Sequence, residues 1–86
     1  MANIETGFID VTLNRAIDVD GTPMKVLRVR EPTVADQLLA DEYKGSDSAK
    51  ELITMANLCQ VSIDDLKKLT LKDYKKLQEA FINFIT

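Results

Sequence analysis

VTLNRAIDVDGTPMKVLRVREPT, residues 11–33, is the stretch that decides the fold. Ile9, Val11, Leu13 and Ile17 fall on one face, with Arg15 the one polar interruption. That is period-two alternation, the mark of a half-buried strand. Asp18-Val19-Asp20-Gly21-Thr22-Pro23 follows, and the chain is expected to reverse at Asp20-Gly21, because glycine reaches positive φ without a Cβ clash. A second strand is expected over 24–30, with Leu27 and Val29 on one face and Met24, Val26, Arg28 and Arg30 on the other. Pro32 cannot donate to a ladder and ends it, and Thr33 then caps a helix.

Outward from this hairpin, residues 1–7 are polar and expected to be loose. A first helix is expected over 33–43, opened by Thr33-x-x-Asp36 as a capping box, with Val34, Ala35, Leu38 and Leu39 turned inward. Lys44-Gly45-Ser46-Asp47 breaks it, glycine suiting a left-handed helix stop. A second helix is expected over 48–59, on the spacing of Ala49, Leu52, Ile53, Ala56 and Cys59 or Gln60. Ser62-x-x-Asp65 opens a short turn with Ile63, Leu66 and Leu69 inward, and Thr70-x-x-Asp73 opens a last helix over 71–85. Leu71, Tyr74, Leu77, Phe81 and Phe84 stripe that helix, Ile82 and Ile85 widen the stripe, and Lys67, Lys68, Lys72, Lys75 and Lys76 read as a solvated face. The expected architecture is α+β: an N-terminal antiparallel β-hairpin (8–30) followed by three to four short α-helices (33–85), in a single domain over 1–86.

Apolar residues make up 45% of the 86 and charged residues 29%, the balance of a folded soluble chain. A net charge of −3 argues against nucleic acid as a partner, since such binding draws on a basic face. Residues 61–86 hold five lysines against four acids, whereas residues 1–60 hold six bases against ten acids, an asymmetry able to orient self-association or a partner. There is no histidine, which removes the commonest general base, the commonest metal ligand and every Ser-His or Cys-His pairing. Cys59 is the sole cysteine, so no intrachain disulfide forms, and a reducing compartment fits. No apolar run approaches the ~20 residues of a membrane span, and the opening residues lack a signal-peptide pattern, so no membrane partner is expected.

Chemistry-bearing candidates are few. Placing Gly21 at position six of a calcium loop puts Ala16 at position one and Leu27 at position twelve, where oxygen ligands are needed. Gly45-Ser46-Asp47-Ser48-Ala49 resembles the attachment site of acyl carrier proteins, with Ser48 as the modified residue, yet Ala49 and Lys50 depart from that pattern and helix capping accounts for the same residues. Cys59 reads as a buried structural thiol, and Asp41-Glu42 and Asp64-Asp65 point apart on a helix rather than sharing a proton. No catalytic, cofactor or metal site is expected.

The order Val11-x-Leu13, Ile17, Gly21, Leu27-Arg28-Val29-Arg30-x-Pro32-Thr33-x-x-Asp36, then Ala56, Leu58 and Cys59, Ile63-x-x-Leu66-x-x-Leu69, Asp73, Leu77 and Phe81 resembles the small tail assembly chaperones of Mu-like and P2-like bacteriophages and prophages. The likeness covers residues 8–84; Ala16 departs from it, where that family often has proline. The resemblance implies a non-enzymatic protein without cofactor, acting in the cytoplasm of the bacterial host. By it, several copies bind the long helical tape measure protein and keep it soluble until tube subunits polymerise, then leave, so that the chaperone is absent from the mature virion. It also implies that a frameshifted longer form can accompany the short one, and a homo-oligomer is compatible with it. The alternative is a small structural virion subunit of the tube or terminator, or a carrier protein modified at Ser48.

The family supplies no binding residue to carry over. The contact surface is inferred from the stripe itself: Tyr74, Leu77, Phe81, Phe84 and Ile85, with Leu38 and Tyr43. Phe81, Phe84 and Ile85 fit either of two roles, core packed on the hairpin or interaction surface near a helix end.

Overall fold

The structure is a computed structural model that describes the backbone of residues 2–3 and all of residues 7–86. Its elements are β1 (Ala2–Asn3), β2 (Phe8–Val19), β3 (Thr22–Arg30), α1 (Val34–Glu42), α2 (Asp47–Cys59), α3 (Ile63–Leu66) and α4 (Leu71–Ile85). The α+β expectation holds: an antiparallel hairpin is followed by four helices. The loose start expected over 1–7 is overturned in part, because Ala2 and Asn3 pair antiparallel with Ile9 and Phe8. The remainder of that expectation, residue 1 and residues 4–6, lies outside the described residues.

The hairpin closes on two residues, Asp20 at φ 52° and Gly21 at φ 81°, the left-handed pair that matches strand twist in a two-residue loop. Ile9, Val11, Leu13 and Ile17 of β2 and Leu27 and Val29 of β3 are all buried, as their alternation predicts. One placement differs. Between the pairs Thr12↔Val26 and Ile17↔Met24, β2 threads residues 13–16 opposite Lys25 alone. This bulge resets the faces, so Met24 stands opposite the buried Ile17 and packs against the core instead of pointing out with Val26.

Helices cover one face of the sheet. α2 lies against β3, α4 against β2, and α1 leans on α2. Met55, Ala56, Leu58 and Cys59 of α2, Leu66 of α3, and Leu77 and Ala80 of α4 meet the six inward strand residues in one apolar cluster. The opposite face stays open to water, where Arg28 pairs with Asp10 at 2.9 Å and lies over the Phe8 ring.

Three helices start at the expected caps Thr33, Ser62 and Thr70, while α2 starts at Asp47, one residue before expected, behind Ser46. Thr33, Ser46, Ser62 and Thr70 accept a hydrogen bond from the third residue onward, satisfying an otherwise orphaned N–H. α2 ends at Gln60, which turns left-handed (φ 56°). α1 does not end on a left-handed glycine: Tyr43 turns extended, and Gly45 keeps an ordinary φ. A Cβ at 45 would stand 2.9 Å from the Tyr43 ring, which would have to shift to admit it.

Candidate functional site

Two polar locks set the positions of α1 and α4. At the first, the Arg30 guanidinium grips the Asp36 carboxylate with two bonds of 2.7 and 2.8 Å. The same carboxylate accepts from the Thr33 N–H (2.8 Å) and hydroxyl, while Thr33 Oγ1 accepts from the Asp36 N–H. Arg30-x-x-Thr33-x-x-Asp36 is therefore one unit that joins the strand end to the first turn of α1. The Arg30 guanidinium holds the Asp36 carboxyl well below the usual carboxylate range.

The lock has a consequence that sequence periodicity misses. Asp36 and Ala40 are the buried residues of α1. The expected inner face, Val34, Ala35, Leu38 and Leu39, is exposed instead, with Val34 at 77%. With Asp36 tethered to Arg30, Asp36 and Ala40 take the buried positions and the apolar residues of α1 stay open to solvent.

The second lock holds α4 to the β2 bulge. Asp73 is 0% exposed and accepts from the backbone N–H groups of Asn14 (2.9 Å) and Arg15 (3.1 Å). Those two donors, stripped of ladder partners by the bulge, hold its carboxyl below the usual range. Lys76 completes the cluster, donating to the Thr12 carbonyl at 2.9 Å. Lys68 donates likewise to the Asp18 carbonyl at 2.8 Å, so two of the five lysines expected on a solvated face fasten the helices to β2.

Between the locks lies an apolar trough. One groove of about 440 Å³ runs between the start of α1 and the end of α4, lined by Val34, Gln37, Ala40, Thr54, Phe81 and Ile85 among others. It continues into a second of about 620 Å³ between α2 and α4, which shares Thr54, Phe81 and Ile85 and adds Met55, Gln78, Glu79 and Ile82.

The seven sequence-inferred contact residues separate on this frame. Phe81 and Ile85 line both grooves of the trough, and Ile85 is 60% exposed. Leu77 is 0% exposed and lies at the centre of the core, so it offers no surface to a partner. Phe84 is half-buried against that core. Tyr74 lines a different hollow with Leu69 and Leu71, where burial, and then the adjacent Glu51, push its hydroxyl up to about 12. Leu38 stands exposed on α1, and Tyr43 lines a further groove with Leu39, Ile53 and Ile63. Leu71, expected on the inner stripe, is 88% exposed. Val34, Gln37 and Thr54 are trough residues that the sequence reading did not select; an apolar residue at the first position of a capped helix is the one hint it held for Val34.

Burial pushes the Cys59 thiol up to about 12, in keeping with a structural role. Ser48 is exposed in the first turn of α2, which Ser46 caps. Among the described residues no cluster of three or more His, Cys, Asp or Glu is placed to hold a metal ion, and no helix is long and apolar enough to cross a membrane.

The chain is thus a small α+β domain with cross-braced helices and an open apolar trough. The chain belongs to the family described as "Phage tail assembly chaperone proteins, E, or 41 or 14", whose profile matches residues 10–86. No curated protein and no solved structure matches it.

Proposed function

We propose that this chain is a tail assembly chaperone of the Mu-like or P2-like kind that binds the tape measure protein, keeps it soluble in the host cytoplasm until tube subunits polymerise, and then leaves, so that it is absent from the mature virion. The observation that carries this reading is the trough: Val34, Phe81, Ile82 and Ile85 present apolar surface in a concave setting beside capped, braced helices. A long helical chain offers apolar stripes at i, i+3, i+4 and i+7, and such a stripe matches a groove of this kind. Modest affinity per copy, multiplied over many copies on one long chain, gives firm protection and still permits stepwise release.

Co-expression with a tape measure protein from the same genome is the test. The reading expects more of that protein in the soluble fraction and a complex that survives purification. Equal precipitation with and without this chain overturns it. Persistence of the chain in purified particles overturns the release step and favours a structural virion subunit.

A further inference from the structure

Gln78 stands halfway along α4, between Leu71 and Ile85, and its side-chain amide donates to the Glu51 carboxylate of α2 at 2.7 Å. This bridge runs from helix to helix between two apolar hollows. On one side is the groove lined by Phe81, Ile82 and Ile85. On the other is the hollow of Leu52, Leu69 and Tyr74, about 590 Å³, which Glu51, Lys75 and Gln78 line as well. The trough therefore continues past the bridge along the whole of α4, a run of about 22 Å for a helix of 15 residues.

The charges at this saddle do not balance. Glu51 is half-buried, Glu79 follows Gln78 in sequence, and Lys75 is the one base lining the groove that both carboxylates line. Among the described residues, neither carboxylate takes part in a salt bridge. Gln78 gives Glu51 a neutral donor and leaves its charge uncompensated, so in the free chain water solvates it. A partner that covered Glu51 with an aliphatic side chain would strand a carboxylate in an apolar contact, which costs more than the loss of an exposed hydrogen bond. A partner that brings an ammonium or guanidinium to the same place supplies a donor and the opposite charge together.

We propose that the trough takes a helix of about four turns whose apolar stripe is interrupted at its middle by one lysine or arginine, and that Glu51, held in place by Gln78, receives that cation and so fixes the register of the bound helix. The proposal rests on the reading of the trough as a site for a helical chain and adds which stretch of such a chain it selects. A single polar residue in an otherwise apolar helix seam sets register in the same way, at some cost in stability. On a long chain with many apolar stripes, the contact decides which of them are covered.

Two synthetic amphipathic helices test this on the full chain, with circular dichroism confirming the fold of every variant. They share an alanine and leucine stripe and differ at its middle position, lysine in one and norleucine, the same stem without the ammonium, in the other. The wild-type chain is expected to bind the lysine peptide roughly ten- to a hundredfold more tightly, the equivalent of one charge-assisted hydrogen bond. Glu51→Gln, which keeps an oxygen for Gln78 and removes the charge, is expected to abolish that preference, and Glu51→Leu to reverse it. Ile85→Ser is expected to weaken both peptides alike. Equal affinity for the two peptides overturns the proposal, as does binding of neither, or a lysine preference that survives Glu51→Gln. Binding of the tape measure protein without discrimination between the peptides overturns the register contact alone, whereas discrimination without binding of that protein supports the contact and overturns the reading of what the trough holds.

Discussion

Asp73 and Asn14 lie 59 positions apart and meet at 2.9 Å, the carboxylate of one accepting from the backbone N–H of the other. A strand bulge frees two backbone donors, and a buried carboxylate on the last helix takes both. The bond thus joins the longest helix to the longest strand, with Lys76 beside the same carboxylate at 3.4 Å.

Asp73→Ala is expected to lower the thermal midpoint by several degrees and to raise hydrogen exchange at Asn14 and Arg15 above that of their neighbours. Removing the acceptor leaves two enclosed N–H groups unpaired, which costs more than the loss of an exposed bond. Asp65→Ala loses a capping box at the surface and serves as the comparison, with a smaller shift. Equal shifts in the two variants would contradict the bracing role.

Acid stability follows from Asp36. Its folded pKa is depressed below the ordinary 3.8, Arg30 being the largest cause, so it binds its proton less readily folded than unfolded. The stabilisation is fully present above about pH 4 and is lost as pH falls through the lowered folded value. Asp10, Asp65 and Asp73 are depressed too and add to the same acid limb. Asp36→Asn is expected to cost about 2–3 kcal/mol at neutral pH, through the lost ion pair and weakened cap, and to flatten the acid limb of stability without abolishing it. Urea denaturation at a series of pH values reads both effects.

Core and trough separate along α4. Leu77→Ala is expected to destabilise the fold by about 2–5 kcal/mol, the usual span for a fully enclosed leucine. Ile85→Ser, on a residue largely in water, is expected to change stability by less than about 0.5 kcal/mol and yet reduce co-purification with the tape measure protein.

Cys59 reports unfolding. With its thiol buried and its pKa pushed up to about 12, alkylation of the native chain near neutral pH is expected to be slow and to rise in step with the unfolded fraction in urea. Rapid labelling of the folded chain would contradict its place in the core.

The hairpin and the helix starts were legible in the sequence because their causes are local. Alternation over Ile9, Val11 and Leu13, the Asp20-Gly21 reversal and the Thr33, Ser62 and Thr70 caps each act within a few residues. What was not legible depends on neighbours distant in the chain. Asp73 has the spacing of a capping acid, and nothing near it in sequence points to Asn14. The apolar spacing of α1 reads as an inner face, but Asp36, tethered to Arg30, takes a buried position and Val34, Leu38 and Leu39 stay open to solvent. On α4 the apolar residues of one stripe reach different depths, from Leu77 in the core to Leu71 in solvent, because the sheet and α2 cover the helix unevenly. β1 escaped notice since two residues show no period at all.

Hydrogen exchange on the purified complex of this chain with the tape measure protein tests the central claim most directly. Protection gained over the first turns of α1, the middle of α2 around Thr54, and the last two turns of α4, with the outer sheet face around Phe8 and Val26 unchanged, is the predicted footprint. Protection confined to that sheet face, with Val34, Phe81 and Ile85 exchanging as in the free chain, would contradict it.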